Sequence, residues 1–319
     1  MTVVPLIDLS LPRERVAAQI DQANHQVGFF GIVGHRVDPH LLDEMYTVTT
    51  EFFDLPIEEK LRYRSIEPGI SRGYMPPKSR ALAQTRGRMT PADLVEFYSI
   101  GALTIPPDDP YYSPAQAGVN FRPNIWPRHS ARFREVWSEY YRAMEALAAD
   151  LMRLFALALR LPEAFFDNHI DRHISNLFAN HYPPLDDDPE PGQLRVGEHS
   201  DYGSLTLLYQ RDEVGGLQVH TGGRWHPVAP VPDSFVINIG DLMQRWSNNR
   251  WVSTLHRVQN PPPGTPAARR LSFPFFCQPN YDTLIETLPT CKDTDTPDLF
   301  EPITSGANMI AKTESSFAL

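Results

Sequence analysis

Cysteine is scarce in this chain: Cys277 and Cys291 are the two among 319 residues. That excludes a disulfide framework and a thiolate-rich zinc site, and it suits a reducing cytoplasmic compartment. Long hydrophobic runs are missing too, and no stretch approaches the roughly 20 apolar residues that a membrane span requires. Residues 3–9 are too few, and with Asp8 among them too polar, for the apolar segment of a signal peptide. Positive charge is in deficit: 29 Lys and Arg against 39 Asp and Glu leave a formal net charge of −10, which argues against a nucleic-acid surface. There is neither a glycine-rich nucleotide fingerprint nor an internal repeat, and nothing points to an obligate protein partner.

Proline, by contrast, is plentiful at 31 residues, with aromatics interleaved throughout, so long ordered connections are expected rather than disorder. The first hundred residues read as alternating strand and helix. Residues 3–7 and 28–33 are strand candidates. Residues 12–26 and 39–53 carry apolar side chains at helical spacing, and a fresh helix start follows at Pro56. Residues 103–128 form a long Pro-rich connection. A long helix is expected over 131–159, where Val136, Tyr140, Met144, Leu147, Leu151, Leu154 and Ala158 repeat at 3.6-residue spacing. Beyond Ile174 the pattern turns to short strands at 177–182, 204–209, 217–220, 235–239, 256–259 and 271–277, the mark of a sandwich or barrel.

Within that second half lies an ordered set of polar residues: Asn180-x-Tyr182, His199-x-Asp201, His256, then Arg270-x-Ser272. Two imidazoles and a carboxylate bind one face of an octahedral Fe(II) and leave the other positions open. In a strand, residues i and i+2 share a face, so His199 can converge with Asp201, and Arg270 can join Ser272 on a carboxylate. A His-x-Asp pair alone is weak, and the chain holds a second, His169-x-Asp171, with His226 at the same separation that divides Asp201 from His256. That copy follows a helix and a turn, has no Asn-x-Tyr before it, and reads as a surface or capping pair.

At these residues the chain resembles the Fe(II)/2-oxoglutarate-dependent oxygenases, and more narrowly the branch related to isopenicillin N synthase. The similarity is carried by residues 180–184, 199–208, 240–249, 253–258 and 270–272, and in the N-terminal half by 28–35, 52–56 and 72–74. The resemblance implies an α+β fold with a mainly β core, a double-stranded β-helix or jelly roll flanked by helices. It divides the chain into an N-terminal α/β region (1–125), a scaffold helix and connection (126–172), the catalytic core (173–285) and a C-terminal tail (286–319), either lid or loose end. It implies His199, Asp201 and His256 as iron ligands, and Arg270 and Ser272, assisted by Tyr182 and Asn180, on the distal carboxylate of 2-oxoglutarate. Two departures stand out. His181 occupies a position that is commonly Tyr, and period-two geometry points it away from the iron. The gap from His256 to Arg270, carrying Pro261-Pro262-Pro263-Gly264, is long and reads as an extended hairpin loop.

The implied reaction uses Fe(II), 2-oxoglutarate and O₂, releases succinate and CO₂, and oxidises a C–H bond of a small organic molecule. Hydroxylation is the default, with desaturation or cyclisation as variants, and specialised metabolism is the expected context. An isopenicillin N synthase-like oxidase that does not use 2-oxoglutarate is the alternative, because there the matching Arg-x-Ser pair holds a carboxylate of the substrate itself. A non-catalytic relative is a third reading, disfavoured by the intact triad. Tyr202, Phe276, Tyr74 and Phe97 are the expected substrate-pocket residues.

Overall fold

Local chemistry starts the long helices where the sequence places them. Asp38 accepts a hydrogen bond from the His40 amide, and Pro39 sits at the first helical position, where its missing N–H costs nothing. Ser130 does the same for the next long helix, its hydroxyl accepting from the Phe133 amide at 3.3 Å. The computed structural model describes residues 3–65, 72–128, 130–185, 188–211, 215–262, 269–292 and 297–316. Its first half runs β1 (Leu6–Asp8), α1 (Arg13–Gln26), β2 (Phe29–Val33), α2 (Pro39–Phe53), α3 (Ile57–Leu61), β3 (Gly73–Met75), β4 (Glu96–Ile100), α4 (Pro114–Ala117), α5 (Ala131–Ala158) and α6 (Asp167–Ile170). The second half runs β5 (Asn176–Tyr182), β6 (Val196–His199), β7 (Leu205–Gln210), β8 (Leu217–Thr221), β9 (Arg224–Pro227), β10 (Phe235–Ile239), α7 (Asp241–Trp246), β11 (His256–Val258), β12 (Arg270–Cys277), β13 (Leu284–Ile285), β14 (Ile303–Thr304) and α8 (Ser305–Ser316).

Two sheets make the jelly roll. The major sheet has eight strands in the order β1-β2-β10-β7-β12-β5-β4-β3, and the minor one has four in the order β6-β11-β8-β9. On β12 the odd-numbered Leu271, Phe273 and Phe275 enter the large core beneath α5, where Tyr140 and Tyr141 meet Phe273 and Phe275. The even-numbered Arg270, Ser272, Pro274 and Phe276 face a cavity on the other side. β5 divides the same way: Leu177 and Ala179 go to the core, while Phe178, Asn180 and Tyr182 go to the cavity. A second apolar cluster, including Val196, Leu217, Val219, Val236 and Val258, holds the two sheets together beside that cavity.

Several elements differ from the sequence expectation. β4 is buried along its whole length, so it shows no alternation to read. β3, β6 and β9 are too short or too polar to stand out. Residues 241–246 form a helix that is too short to show a periodic signal in the sequence, and a polar turn follows it, with Asn248 and Asn249 at positive φ. The tail contains α8, which packs on the 3-10 turn Leu82–Arg86. Of the hairpin loop expected at 261–264, residues 263 and 264 lie outside the described residues.

Candidate active site

β6 and β11 lie side by side with His199 directly opposite His256. Their ring centroids are 4.2 Å apart. Each imidazole pairs its Nδ1 with a backbone carbonyl, His199 with Gly197 at 2.8 Å and His256 with Thr254 at 3.1 Å. That leaves both Nε2 atoms for the interior. Asp201 completes the set from the loop after β6: its Oδ1 lies 3.9 Å from His199 Nε2 and 3.6 Å from His256 Nε2. The expectation that His199 and Asp201 would share one strand face needs correcting, because β6 ends at His199. Asp201 reaches the site through contacts to the opposite sheet. Its Oδ2 accepts from Thr206 of β7 at 2.6 Å and from Asn238 of β10 at 2.7 Å.

Electrostatics suit a divalent cation. Burial, and then the neighbouring His256, push the His199 imidazole down to about 3, which makes it a neutral nitrogen donor at ordinary pH. Burial works against charge on Asp201, but His256, His199 and the Asn238 hydrogen bond outweigh it and hold the carboxyl well below its usual range. Burial likewise opposes charge on His256, where the Asp201 carboxylate wins and raises the imidazole. One ligand atom from each of His199, Asp201 and His256 lies within 4.8 Å of the others, the reach of a single ion. The pinned Nδ1 atoms and the doubly bonded Oδ2 are the supporting contacts that a facial 2-His-1-carboxylate site needs.

Beside this triad the cavity, about 490 Å³, is lined by Arg270, Ser272, Asn180 and Tyr182. Strand register assembles them. Arg270 pairs across to Tyr182, and Ser272 lies between Asn180 on β5 and Gln210 on β7. The Arg270 guanidinium donates to Ser272 Oγ at 3.3 Å and to Gln210 Oε1 at 2.9 Å, and it lies 4.7 Å from the Tyr182 ring centroid. Asn180 Oδ1 and Gln210 Nε2 are buried with no hydrogen-bond partner. The unsatisfied Gln210 Nε2 donor, beside the buried Arg270, is what a carboxylate of a dicarboxylate co-substrate would complete.

Comparison with known proteins agrees with this geometry. Residues 173–279 match the family described as the 2OG-Fe(II) oxygenase superfamily, and residues 4–129 match the family described as non-haem dioxygenase in morphine synthesis N-terminal. A 2-oxoglutarate-Fe(II) type oxidoreductase, hxnY of Emericella nidulans, is 35% identical over 317 residues, 95% of this chain and 87% of its own. The chain belongs to the 2-oxoglutarate and Fe(II)-dependent oxygenase superfamily. A homoarginine-6-hydroxylase of Oryza sativa is 30% identical over 96% of this chain and 90% of its own. Among solved structures, a Neurospora crassa enzyme in complex with α-ketoglutarate and thymine superposes with a TM-score of 0.84 at 30% identity, covering 98% of this chain and 96% of that one. A Caulobacter crescentus family protein reaches a TM-score of 0.85 at 30% identity, over 98% and 99% of the two chains. This oxygenase is therefore a dioxygenase that uses Fe(II), 2-oxoglutarate and O₂ to oxidise a small molecule, and the oxidase alternative is not favoured.

Four residues were expected at the oxygenase's substrate pocket. Tyr202 and Phe276 line the cavity. Tyr74 does not: it pairs with Tyr98, which puts it on the helix-facing side of the sheet, fully buried, with its hydroxyl on Glu96. Phe97 lies opposite Asn180 and so faces the cavity side, but it is fully buried behind Phe178 and the Arg80 guanidinium. The second His-x-Asp pair, with His226, does not converge on a common point among the described residues: His169 Nδ1 contacts the Phe165 carbonyl, Asp171 accepts from Asn280, and His226 Nε2 contacts the Thr221 carbonyl. His181 faces away, as period two requires, with its Nδ1 2.6 Å from Glu96 and its ring stacked on Phe53. Gln210, Thr206, Asn238 and Arg80 were missed. Gln210 shares the parity of Thr206 and Leu208 on β7, a signal readable only once the cavity face is known. α8 also reaches the site. Met309 and Ile310 line the cavity, Asn308 donates to the Tyr202 carbonyl at 3.3 Å, and Lys312 binds Asp241 at 2.8 Å.

Proposed function

We propose that this dioxygenase hydroxylates a C–H bond of a medium-sized, partly apolar small molecule, with His199, Asp201 and His256 holding the iron and Arg270 and Ser272 holding 2-oxoglutarate. The observation that carries this reading is the register of three adjacent strands, which lines up Tyr182 with Arg270 and Asn180 with Ser272 and Gln210 beside the triad. When bound, iron and the keto acid supply the oxidising power, as oxidative decarboxylation to succinate and CO₂ is coupled to oxidation of the substrate.

The protein's own contribution is orientation and exclusion of water. Arg270 offers a guanidinium whose geometry is fixed by Ser272 and Gln210, so a carboxylate meets donors that are already aligned. Tyr182 and Asn180 close that end of the cavity. Phe29 stands edge-on to His256 with ring centroids 5.3 Å apart, which restricts the imidazole and shields it from water. Apolar Phe178, Pro274 and Phe276 form the wall against which a substrate carbon would rest. The relatives' small-molecule ligands support this substrate size, and both cysteines being free suits a reducing cytoplasmic setting.

Anaerobic titration of the Fe(II)-loaded protein with 2-oxoglutarate tests the assignment. A saturable metal-to-ligand charge-transfer band is expected. Iron that is demonstrably bound yet produces no band would return the choice to an oxidase that does not use the keto acid.

A further inference from the structure

The cavity contains more positive charge than iron and 2-oxoglutarate require. Its charged lining side chains, besides the histidines, are Asp201, Arg270, Arg72 and Arg80. Asp201 belongs to the triad and Arg270 to the co-substrate. Arg72 donates to Asn176 Oδ1 at 2.8 Å. Arg80 is different: among the described residues its guanidinium makes no hydrogen bond or ion pair, and its Nε is buried without a partner. The guanidinium lies over the face of Phe97, 4.3 Å from the ring centroid, with the Asp93 carboxylate acting on it electrostatically. Stacking of that kind holds a guanidinium plane while leaving the in-plane N–H edge available.

The backbone around Arg80 is fastened in place. The Asp93 amide donates to the Arg80 carbonyl at 2.8 Å, and Lys78 donates to the Asp93 carbonyl at 3.1 Å. Both Asp93 carboxylate oxygens are occupied by amides: Oδ2 accepts from Leu82 at 3.1 Å, and Oδ1 accepts from Gly197 at 2.9 Å. Gly197 lies on the same strand as His199, so Asp93 ties the Arg80 segment to the metal-bearing strand. Arg80 is near enough to the triad to act electrostatically on both Asp201 and His199. The same cavity is walled in part by apolar Leu82, Val119, Phe178, Met309 and Ile310, while Tyr182 and Tyr202 are among the polar groups close enough to act on Arg80.

We propose that Arg80, stacked on Phe97 and held beside the iron strand, is the specificity residue that receives a carboxylate of an otherwise apolar primary substrate. This rests on the oxygenase reading above and deepens it. A single planar cation matches the single charge and the two oxygens of a carboxylate. The nearest carboxylate acting on Arg80, that of Asp93, already has both oxygens occupied by amides, so the desolvated guanidinium keeps donor capacity for a ligand. The primary substrate is thus an organic acid that presents its carboxylate to Arg80 and its hydrocarbon to the Phe178 and Phe276 wall.

The test uses the full chain loaded with Fe(II) and 2-oxoglutarate under anaerobic conditions, and isothermal titration calorimetry with matched acids and primary amides: 3-phenylpropionate with 3-phenylpropionamide, and 4-phenylbutyrate with 4-phenylbutyramide. The unaltered protein should bind at least one acid on the order of 10–100-fold more tightly than its amide, the range expected for a charge-assisted bidentate contact. Arg80→Met should abolish that preference, and Arg80→Lys should restore part of it. No preference for any acid in the unaltered protein, or a preference that survives Arg80→Met, overturns the proposal. So does loss of the 2-oxoglutarate charge-transfer band in Arg80→Met, which would make Arg80 a co-substrate residue. A missing band in the unaltered protein instead sinks the oxygenase reading, and this proposal with it.

Discussion

Asp201 and Asp171 carry the same local pattern, His-x-Asp, and only one of them meets two imidazoles. Asp201→Ala should abolish iron-dependent turnover, whereas Asp171→Ala, which removes only the acceptor for Asn280, should leave the specific activity nearly intact. Comparable activity loss in both variants would mean that the triad has been assigned to the wrong pair. Arg270→Ala removes a buried cation already aligned by Ser272 and Gln210. Hydrogen bonds to charged groups contribute about 1.5–3 kcal/mol, so the 2-oxoglutarate concentration for half-maximal turnover should rise by roughly 10–100-fold. An unchanged requirement would remove Arg270 from that role. At this scale the convergence of His199, Asp201 and His256 beside the Arg270-x-Ser272 pair was legible in the sequence, because those residue types at that spacing state their chemistry. Tyr74 was not, since a single step of register separates the core face from the cavity face, and no nearby residue reveals which one it takes.

Among the elements, β4 is the clearest case of a part that sequence pattern could not show and that packing explains. Its Glu96 lies at the junction of four elements, accepting from Lys60 of α3, Tyr74 of β3 and His181 of β5. Burial works to raise the Glu96 carboxyl, but the hydrogen bonds from His181, Lys60 and Tyr74 outweigh it and hold the group below its ordinary value. The unfolded chain therefore takes up the proton first on acidification. The stabilisation is complete above the ordinary glutamate range, near pH ~4.3, and is lost as the pH falls through the folded value. Glu96→Gln should lower stability at neutral pH by about 3–5 kcal/mol, since it strands Lys60 and alters the acceptor for His181. It should also flatten the acid limb of the unfolding curve. An identical acid slope in both proteins, measured by urea denaturation across pH 3–6, would contradict the assignment. The long helices behaved differently: α2 and α5 were legible because a 3.6-residue apolar stripe is a local property. α8 carries no such stripe over its described side chains, and its placement comes from contacts with Tyr202 and Asp241.

Across the whole molecule, the two segments that match separate families share one sheet. β2 pairs with β10, and β4 pairs with β5, so strands of the N-terminal segment flank those of the catalytic core on both sides. α5 then covers that sheet, meeting β7 and β12 from one face and α1 and α2 from its own flank. Unfolding should accordingly be a single cooperative transition by calorimetry, with the calorimetric and van't Hoff enthalpies in agreement. Two resolved transitions would show that the segments melt independently. The chain by itself carried the motifs from which the resemblance implied the class of reaction, the candidate triad His199, Asp201 and His256, and most of the strands and helices around it, because donor chemistry and short-range periodicity are written locally. Only the tertiary structure decided that Asp201 is held by Thr206 and Asn238 from the opposite sheet, that Gln210 aligns Arg270, and that Arg80 rests on Phe97 inside the cavity. Those contacts join residues on different strands, and which strands lie together is settled by burial of the whole core rather than by any stretch of sequence.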